Sequence, residues 1–288
     1  MSAPNNDLSN LVNRTNGTNG PNGTDPGPDF ARLVRMNGTE PFPALVGRND
    51  GVSANDITHG TTCVAVRYNE GVVIAGDRRA TAGNLISHRS IEKVFAADRH
   101  SAVAIAGAAG PAIEMVRLFQ LQLEHYEKVE GSPISLEGKA NQLSQMLRSN
   151  MPAAMSGLAV VPIFAGYDLA REVGRLFEYD ITGGRYEEAD YAATGSGSLH
   201  AETVIKVGYR RDMSADDAIT LLAESLFQAA DSDSATGGAD TLRGIYPIMA
   251  TISLEGFERV GNDIVSSKFS EIAERFAENH RADEGVQR

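Results

Sequence analysis

The run Val72-Val73-Ile74-Ala75 places four apolar residues in succession with no polar alternation. A strand of that kind is covered on both faces, so its sheet lies inside a layered fold rather than at a wet surface. Thr62–Val66 reads as a neighbouring strand. The turn Tyr68-Asn69-Glu70-Gly71 joins the two into an antiparallel hairpin. A second pair is predicted at Lys93–Ala97 and Ala102–Ala106. A helix follows, with Pro111 near its start, Ile113, Val116, Phe119, Leu123 and Tyr126 at helical spacing, and Gly131 at its end. A second helix puts Leu136, Ala140, Leu143 and Leu147 on one face. Strands resume at Ala159–Tyr167, where Pro162 predicts an edge or a bulge, and continue through Arg175–Asp180 and Ala189–Thr194. Two more helices, Leu199–Val207 and Ser214–Ala230, lead to strands Tyr246–Ser253 and Glu258–Val260. The latter helix opens on an imperfect capping box, Ser214 to Asp217. A last helix carries Val265, Phe269, Ile272 and Phe276. Paired helices between blocks of strands do not match a doubly wound fold. They fit an α+β, four-layer αββα sandwich, with two antiparallel sheets between helical layers.

The composition shifts near residue 57, and the regular pattern begins only at Thr61. The tract from Asn16 to Pro28 is almost entirely turn-forming residues and cannot bury enough apolar surface to offset the entropy of ordering it. Its Asn-Gly-Thr triplets match a glycosylation pattern, but without a secretory signal they read as tail composition. Residues 29–48 carry scattered apolar groups (Phe30, Leu33, Val34, Met36, Phe42, Leu45, Val46), as either a docking segment or a loose linker. The net charge of -12 argues against nucleic acid or an anionic membrane as partner, since both require a basic face. No stretch approaches the roughly 20 apolar residues of a spanning helix. One cysteine, Cys63, allows no internal disulfide. The expected location is a reducing cytoplasm.

Common catalytic signatures are missing. There is no Gly-x-Ser-x-Gly elbow, and Cys63 lies within an apolar strand, where a small buried residue is the simpler reading. The six histidines lack His-x-x-x-His spacing and cysteine companions, so no metal or other cofactor is expected. Asp231-Ser232-Asp233-Ser234 lacks the glutamate of a calcium loop and reads as a solvated turn or a loop supporting a site. Gly107 and Gly110 are not followed by the Gly-Lys-Ser/Thr of a phosphate loop.

What remains is His59-Gly60-Thr61-Thr62, at the boundary between the two kinds of sequence. Gly60 has no side chain, so the Thr61 hydroxyl can approach the Gly60 carbonyl closely. Attack there moves the acyl group from nitrogen to oxygen, and hydrolysis leaves Thr61 with a free amine. Such an amine titrates near ~7.7–8, suited to a general base at neutral pH. One residue then supplies nucleophile and base. Taken alone, the dipeptide reads equally as the end of a linker.

Several separated motifs sharpen this choice. Thr61-Thr62-Cys63-Val64-Ala65-Val66, Gly76-Asp77-Arg78-Arg79-Ala80-Thr81 and Lys93 closely resemble the β subunits of 20S proteasomes. So do Ile105-Ala106-Gly107, Thr194-Gly195-Ser196-Gly197-Ser198 and Asp233-Ser234-Ala235-Thr236-Gly237-Gly238. The resemblance runs in register from Thr61 to about Gly261, and the long Asn/Gly-rich leader resembles the bacterial, actinobacterial type. It implies an N-terminal nucleophile hydrolase, with residues 1–60 a propeptide removed on maturation. Residues 61–288 would be the peptidase domain, with a C-terminal tail expected to be mobile.

The resemblance also implies residue roles. Thr61 is the nucleophile and Gly60-Thr61 the cleavage site. Lys93 lies near the Thr61 hydroxyl and favours its deprotonated form by charge, held by Asp77. Taken alone, Lys93 reads as a surface charge, and Arg79, which would brace this pair, as an ordinary surface ion pair. The Gly107 N–H stabilises the oxyanion. Ser196 and Asp233 anchor the Thr61 amine and hydroxyl, with Thr236 standing where serine is common. Ala80, Ile91, Phe95, Ile105, Ala109 and Ile113 surround the pocket for the substrate side chain, though each fits an ordinary core equally well. All are apolar, which predicts cleavage after hydrophobic residues. Thr81 and Gly107 pair with the extended substrate backbone. The implied partners are other β subunits in heptameric rings, α-subunit rings, an ATP-dependent unfoldase and protein substrates. The two-ring heat-shock peptidase also begins Thr-Thr, but its leader and mature chain are shorter. A catalytically silent subunit is the alternative of another class, and Thr61, Asp77 and Lys93 together count against it.

Overall fold

The computed structural model describes residues 60–286, with side chains through Glu278. Apart from Gly60, the expected propeptide, including the apolar stretch 29–48, lies outside the described residues, as do the last two residues of the expected tail.

Chain order begins with strands β1 (Thr62–Tyr68), β2 (Gly71–Gly76), β3 (Ala80–Ala82), β4 (Leu85–His88), β5 (Val94–Asp98) and β6 (Ser101–Gly107). Helices α1 (Ala109–Glu130), α2 (Leu136–Ser149) and α3 (Met151–Met155) follow. Strands β7 (Val160–Asp168), β8 (Val173–Tyr179), β9 (Arg185–Glu188) and β10 (Tyr191–Gly195) come next, then helices α4 (Ser198–Gly208) and α5 (Ala215–Ser232). The order closes with β11 (Ile248–Ser253), β12 (Gly256–Arg259) and α6 (Asn262–Val286). One antiparallel sheet has the order β10-β1-β2-β11-β12 and another β5-β6-β7-β8-β9, with β3-β4 a separate hairpin.

Strand alternation distributes side chains into three apolar layers. On β1, Cys63 and Ala65 face the other sheet, while Val64 and Val66 face α4, α5 and α6. On β2, Val72 and Ile74 point inward between the sheets, and Val73 and Ala75 toward the same helices. The Val72–Ala75 run is therefore buried on both faces, as its sequence predicts. On β6, Ala102 and Ala104 meet the first sheet, and Val103 and Ile105 pack under α1 and α2. The layers are helix, sheet, sheet, helix. Between α1 and the second sheet, Phe119 meets Phe164 edge-on and Phe164 stacks on Phe177, each pair with centroids 5.9 Å apart. Burying each such ring contributes about 1.5–3 kcal/mol.

Local signals set the helix ends. Ser214 and Asp217 form a complete capping box at α5. Gly131, with φ 72°, closes α1 in the left-handed conformation that glycine adopts without strain. Four features differ from expectation. The β3-β4 hairpin and the short α3 and β9 were not predicted. Strand β7 is central rather than an edge, and its register with β6 runs unbroken through Pro162. Pro162 is tolerated because the β8 ladder begins only at Ile163, one residue beyond the missing N–H.

Buried charge is concentrated on one residue of the second sheet. Arg175 bonds Asp168 at 3.0 Å and both Glu137 and Glu187 at 2.6 Å, tying β8 to β7, α2 and β9. Glu137 and Glu187 are held below the usual carboxylate range chiefly by the Arg175 hydrogen bonds. For Asp168, burial pushes upward, but bonds from Arg175 and two backbone N–H groups outweigh it.

Candidate active site

Thr61 immediately precedes β1, flanked by the ends of two neighbouring strands. Cys63 pairs with Gly76 on β2, and Thr62 with Gly195 on β10. The chain emerging from β2 therefore delivers Asp77 to one side of Thr61, and the chain emerging from β10 delivers Ser196 to the other. Gly195 has φ 100°, and a Cβ there would lie 1.9 Å from the Thr61 carbonyl oxygen, so this approach requires glycine. Thr61 is 4% exposed.

Asp77 and Lys93 form the first arm. Asp77 is fully buried, and its two oxygens accept four hydrogen bonds. Oδ1 takes Lys93 Nζ at 2.6 Å and the Thr62 N–H at 2.9 Å. Oδ2 takes the Arg79 and Gly237 N–H groups, each at 2.8 Å. Lys93 also donates to the Arg79 carbonyl at 2.6 Å. A buried ammonium with a carboxylate and a carbonyl as partners is the arrangement in which such a charge is tolerated. Arg79 braces this arm by its backbone, while its guanidinium donates to Ser234 O at 3.0 Å. The bonds of Lys93 go to Asp77 and Arg79, but Lys93 and Thr61 line the same cleft.

Ser196, Asp233 and Thr236 form the second arm. Asp233 Oδ2 accepts the Ser196 hydroxyl at 2.5 Å and the Thr236 hydroxyl at 2.6 Å, and Oδ1 accepts the Ala235 N–H. Burial raises the Asp233 carboxyl, but these hydrogen bonds outweigh it and hold the group below its ordinary range, as a carboxylate. With its proton committed to Asp233, Ser196 Oγ accepts the Thr61 N–H at 3.3 Å, and the Ser196 N–H donates to the Thr61 carbonyl at 2.8 Å. Asp233 thus reaches Thr61 only through Ser196. The Thr236 hydroxyl reaches Thr62 rather than Thr61, across 2.5 Å.

The Thr61 hydroxyl donates to the Gly60 carbonyl oxygen at 2.8 Å, and the Gly60 N–H donates to Thr81 Oγ1 at 3.2 Å. The Thr61 hydroxyl and the neighbouring peptide are thus held in contact inside a buried site. A Cβ on Gly60 would fall 1.7 Å from Ala235 Cβ, so only glycine fits there.

Beside Thr61 lies a small cleft lined by Ala80, Ile91, Lys93, Ile105, Gly107, Ala109, Ala112 and Ile113. Gly107 has φ 106°, and a Cβ would strike the Ala159 carbonyl at 2.1 Å. Phe95 is not part of this lining. It pairs with Val103, one pleat further along β5, and packs instead beneath α1. Glu92 borders the cleft, but its carboxylate bonds Arg259 at 2.7 Å. Burial pushes the Cys63 thiol up to about 12, which leaves it protonated and unreactive at neutral pH. Among the described residues no group of three His, Cys, Asp or Glu is placed to hold a metal ion, and no helix is long and apolar enough to cross a membrane.

Sequence reasoning missed Ala112, one helical turn from the expected Ala109, and the Gly237 N–H that completes Asp77. It also missed the Thr62 hydroxyl. For Ala112 the signal was present, since residues three apart share a helix face. Backbone donors carry no sequence signal.

The model of the family described as "Proteasome subunit" matches residues 57–243. The chain is similar to "Proteasome subunit beta" of Acidimicrobium ferrooxidans, 54% identical over 249 residues, covering 86% of this chain and 89% of that protein. It is 55% identical over 240 residues to "Proteasome subunit beta" of Streptomyces griseus, covering 83% of each. For the protein so named in Jonesia denitrificans the identity is 50% over 256 residues, covering 89% and 85%.

Proposed function

The chain belongs to the proteasome subunit family, as a β-type threonine peptidase, and on that premise we propose that Thr61 is its nucleophile, unmasked when the Gly60-Thr61 bond is cut. The observation that carries this reading is the 2.8 Å hydrogen bond from the Thr61 hydroxyl to the Gly60 carbonyl, between the Lys93–Asp77 arm and the Ser196–Asp233 arm. In the precursor, Thr61 Oγ1 attacks the Gly60 carbonyl carbon and gives up its proton, balanced by the one the nitrogen gains. The C–N bond breaks, the Thr61 nitrogen takes up a proton, and an ester links Gly60 to Thr61. Water hydrolyses the ester, releasing residues 1–60 with a new carboxylate and leaving Thr61 with a free amine.

In the mature enzyme that amine accepts the proton of its own hydroxyl as Oγ1 attacks a scissile carbonyl. The Lys93 ammonium, held in place by Asp77, stabilises the developing alkoxide. Ser196 orients the amine by accepting an N–H. The Gly107 N–H binds the oxyanion, and the amine passes its proton to the departing peptide. Water then releases the acyl group. The cleft formed by Ala80, Ile91, Ile105, Ala109, Ala112 and Ile113 takes an apolar substrate side chain, and Thr81 and Gly107 hold the extended backbone as an added strand. The chain works in heptameric β rings between α-subunit rings in the cytoplasm, fed by an ATP-dependent unfoldase.

The test is intact mass and N-terminal sequencing of the protein coexpressed with an α-type subunit. The expected mature chain starts at Thr61, and Thr61→Ala stays full length and inactive. A mature chain with another first residue, or peptidase activity retained by Thr61→Ala, would overturn the reading.

A further inference from the structure

The two arms around Thr61 come from distant parts of the chain, and one residue touches both. We propose that Thr62 is a positioning residue that locks the Asp77–Lys93 arm and the Ser196–Asp233–Thr236 arm into register around the nucleophile. The inference rests on Thr61 being that nucleophile.

Proton bookkeeping assigns every bond of the Thr62 side chain. A hydroxyl donates one hydrogen bond and accepts up to two. Asp233 is a carboxylate, so Thr236 spends its only proton on Asp233 Oδ2 at 2.6 Å. The 2.5 Å contact between Thr236 Oγ1 and Thr62 Oγ1 therefore has Thr62 as donor. Thr62 Oγ1 in turn accepts the Gly197 N–H at 3.1 Å. The chain runs one way, from the Gly197 N–H through Thr62 and Thr236 to Asp233, and each donor strengthens the next. It pins the Ser196-Gly197 turn that presents Ser196 to the Thr61 nitrogen and carbonyl.

The Thr62 backbone holds the other arm. Its N–H donates to Asp77 Oδ1 at 2.9 Å, and its carbonyl accepts the Asp77 N–H at 3.1 Å. Thr62 is fully buried, so none of these groups has water as a substitute. Gly197 is matched to this arrangement. A Cβ there would lie 2.4 Å from Thr62 Oγ1 and 2.7 Å from Thr236 Oγ1.

The experiment compares Thr62→Val, Thr62→Ser and Gly197→Ala in the coexpressed particle, with kcat normalised to Thr61 sites titrated by a covalent acylating probe. Valine keeps the shape and removes the hydroxyl. The expected result is a fall in kcat of roughly tenfold or more with KM within about twofold, because the apolar cleft is untouched. Serine restores kcat to within about threefold, as a merely space-filling role would not allow. Gly197→Ala dislodges the same bond without altering either hydroxyl, and reproduces the loss if Thr62→Val fails to assemble. Wild-type kcat in either Thr62→Val or Gly197→Ala, or equal impairment in Thr62→Ser and Thr62→Val, would overturn the proposal. Probe labelling of a residue other than Thr61 in the unmodified particle would instead overturn the premise beneath it.

Discussion

Replacing Asp77 by asparagine tests the charge arrangement at its most constrained point. The change is nearly isosteric, yet all four bonds to Asp77 come from donors: Lys93, Thr62 N–H, Arg79 N–H and Gly237 N–H. An amide has one accepting oxygen, so whichever way it turns, its NH2 group faces two donors. At 2.6 Å the Lys93–Asp77 attraction is worth ~6 kcal/mol for an effective dielectric of ~20, before desolvation is subtracted. Breaking one partner of such a buried pair costs about 3–5 kcal/mol, since the Lys93 ammonium is left uncompensated. If most of that loss falls on the transition state, kcat drops roughly 10²–10³-fold. The same loss should slow maturation if the Thr61 hydroxyl attacks Gly60 within the same field. The assays are the time course of propeptide loss by intact mass and peptidase activity per mature Thr61. The double variant Asp77→Asn/Lys93→Met removes both charges, so it should regain thermal stability without regaining activity. Maturation and kcat within about threefold of the original protein in Asp77→Asn would refute the electrostatic argument.

Gly60→Ala should leave the precursor uncut, because the new methyl overlaps Ala235. Gly60→Ala/Ala235→Gly should restore cleavage, and a single Gly60→Ala variant that matures normally would show the contact to be unimportant. The apolar cleft predicts kcat/KM at least roughly tenfold higher for peptides cleaved after Leu or Tyr than after Asp. Equal rates would remove the cleft from specificity. Arg175 holds Glu137 and Glu187 below their ordinary range and, with two backbone N–H groups working against burial, Asp168 as well. Carboxyl groups lowered in the folded state stabilise it above the usual carboxylate range, and that contribution is lost as pH falls through their folded values. Arg175→Met should therefore lower Tm by roughly 5 °C at neutral pH, with the difference shrinking below about pH 4. A Tm difference constant from neutral to acid pH would contradict this.

Much of the fold was legible because burial leaves a period in the sequence. The β1-β2 hairpin, α1 and α2 follow from alternation or helical spacing that the three apolar layers demand. The β3-β4 hairpin was not legible, since all four residues of β4 are exposed and no inward face imposes a pattern. Pro162 misled for another reason. Whether a missing N–H is costly depends on where the neighbouring ladder ends, which is a tertiary fact. At the site, Thr61, Asp77, Lys93, Ser196, Asp233 and Thr236 are each candidates from the sequence, and the structure brings them together. Their wiring was less accessible. Asp233 and Thr236 act on neighbours of Thr61 rather than on Thr61, and Phe95 falls one pleat short of the cleft. Geometry at the level of single bonds decides such matters.

If Thr61 cuts its own bond to Gly60, the contact between its hydroxyl and the Gly60 carbonyl also fixes the kinetic order of that first turnover. Both reacting groups sit on adjacent residues of one chain, so the attack is unimolecular, with a rate that dilution leaves unchanged. On that reading neither reacting group comes from a second copy. Any dependence of maturation on protein concentration thus reports the association of subunits around a site already loaded, and separates assembly from chemistry in a single dilution series.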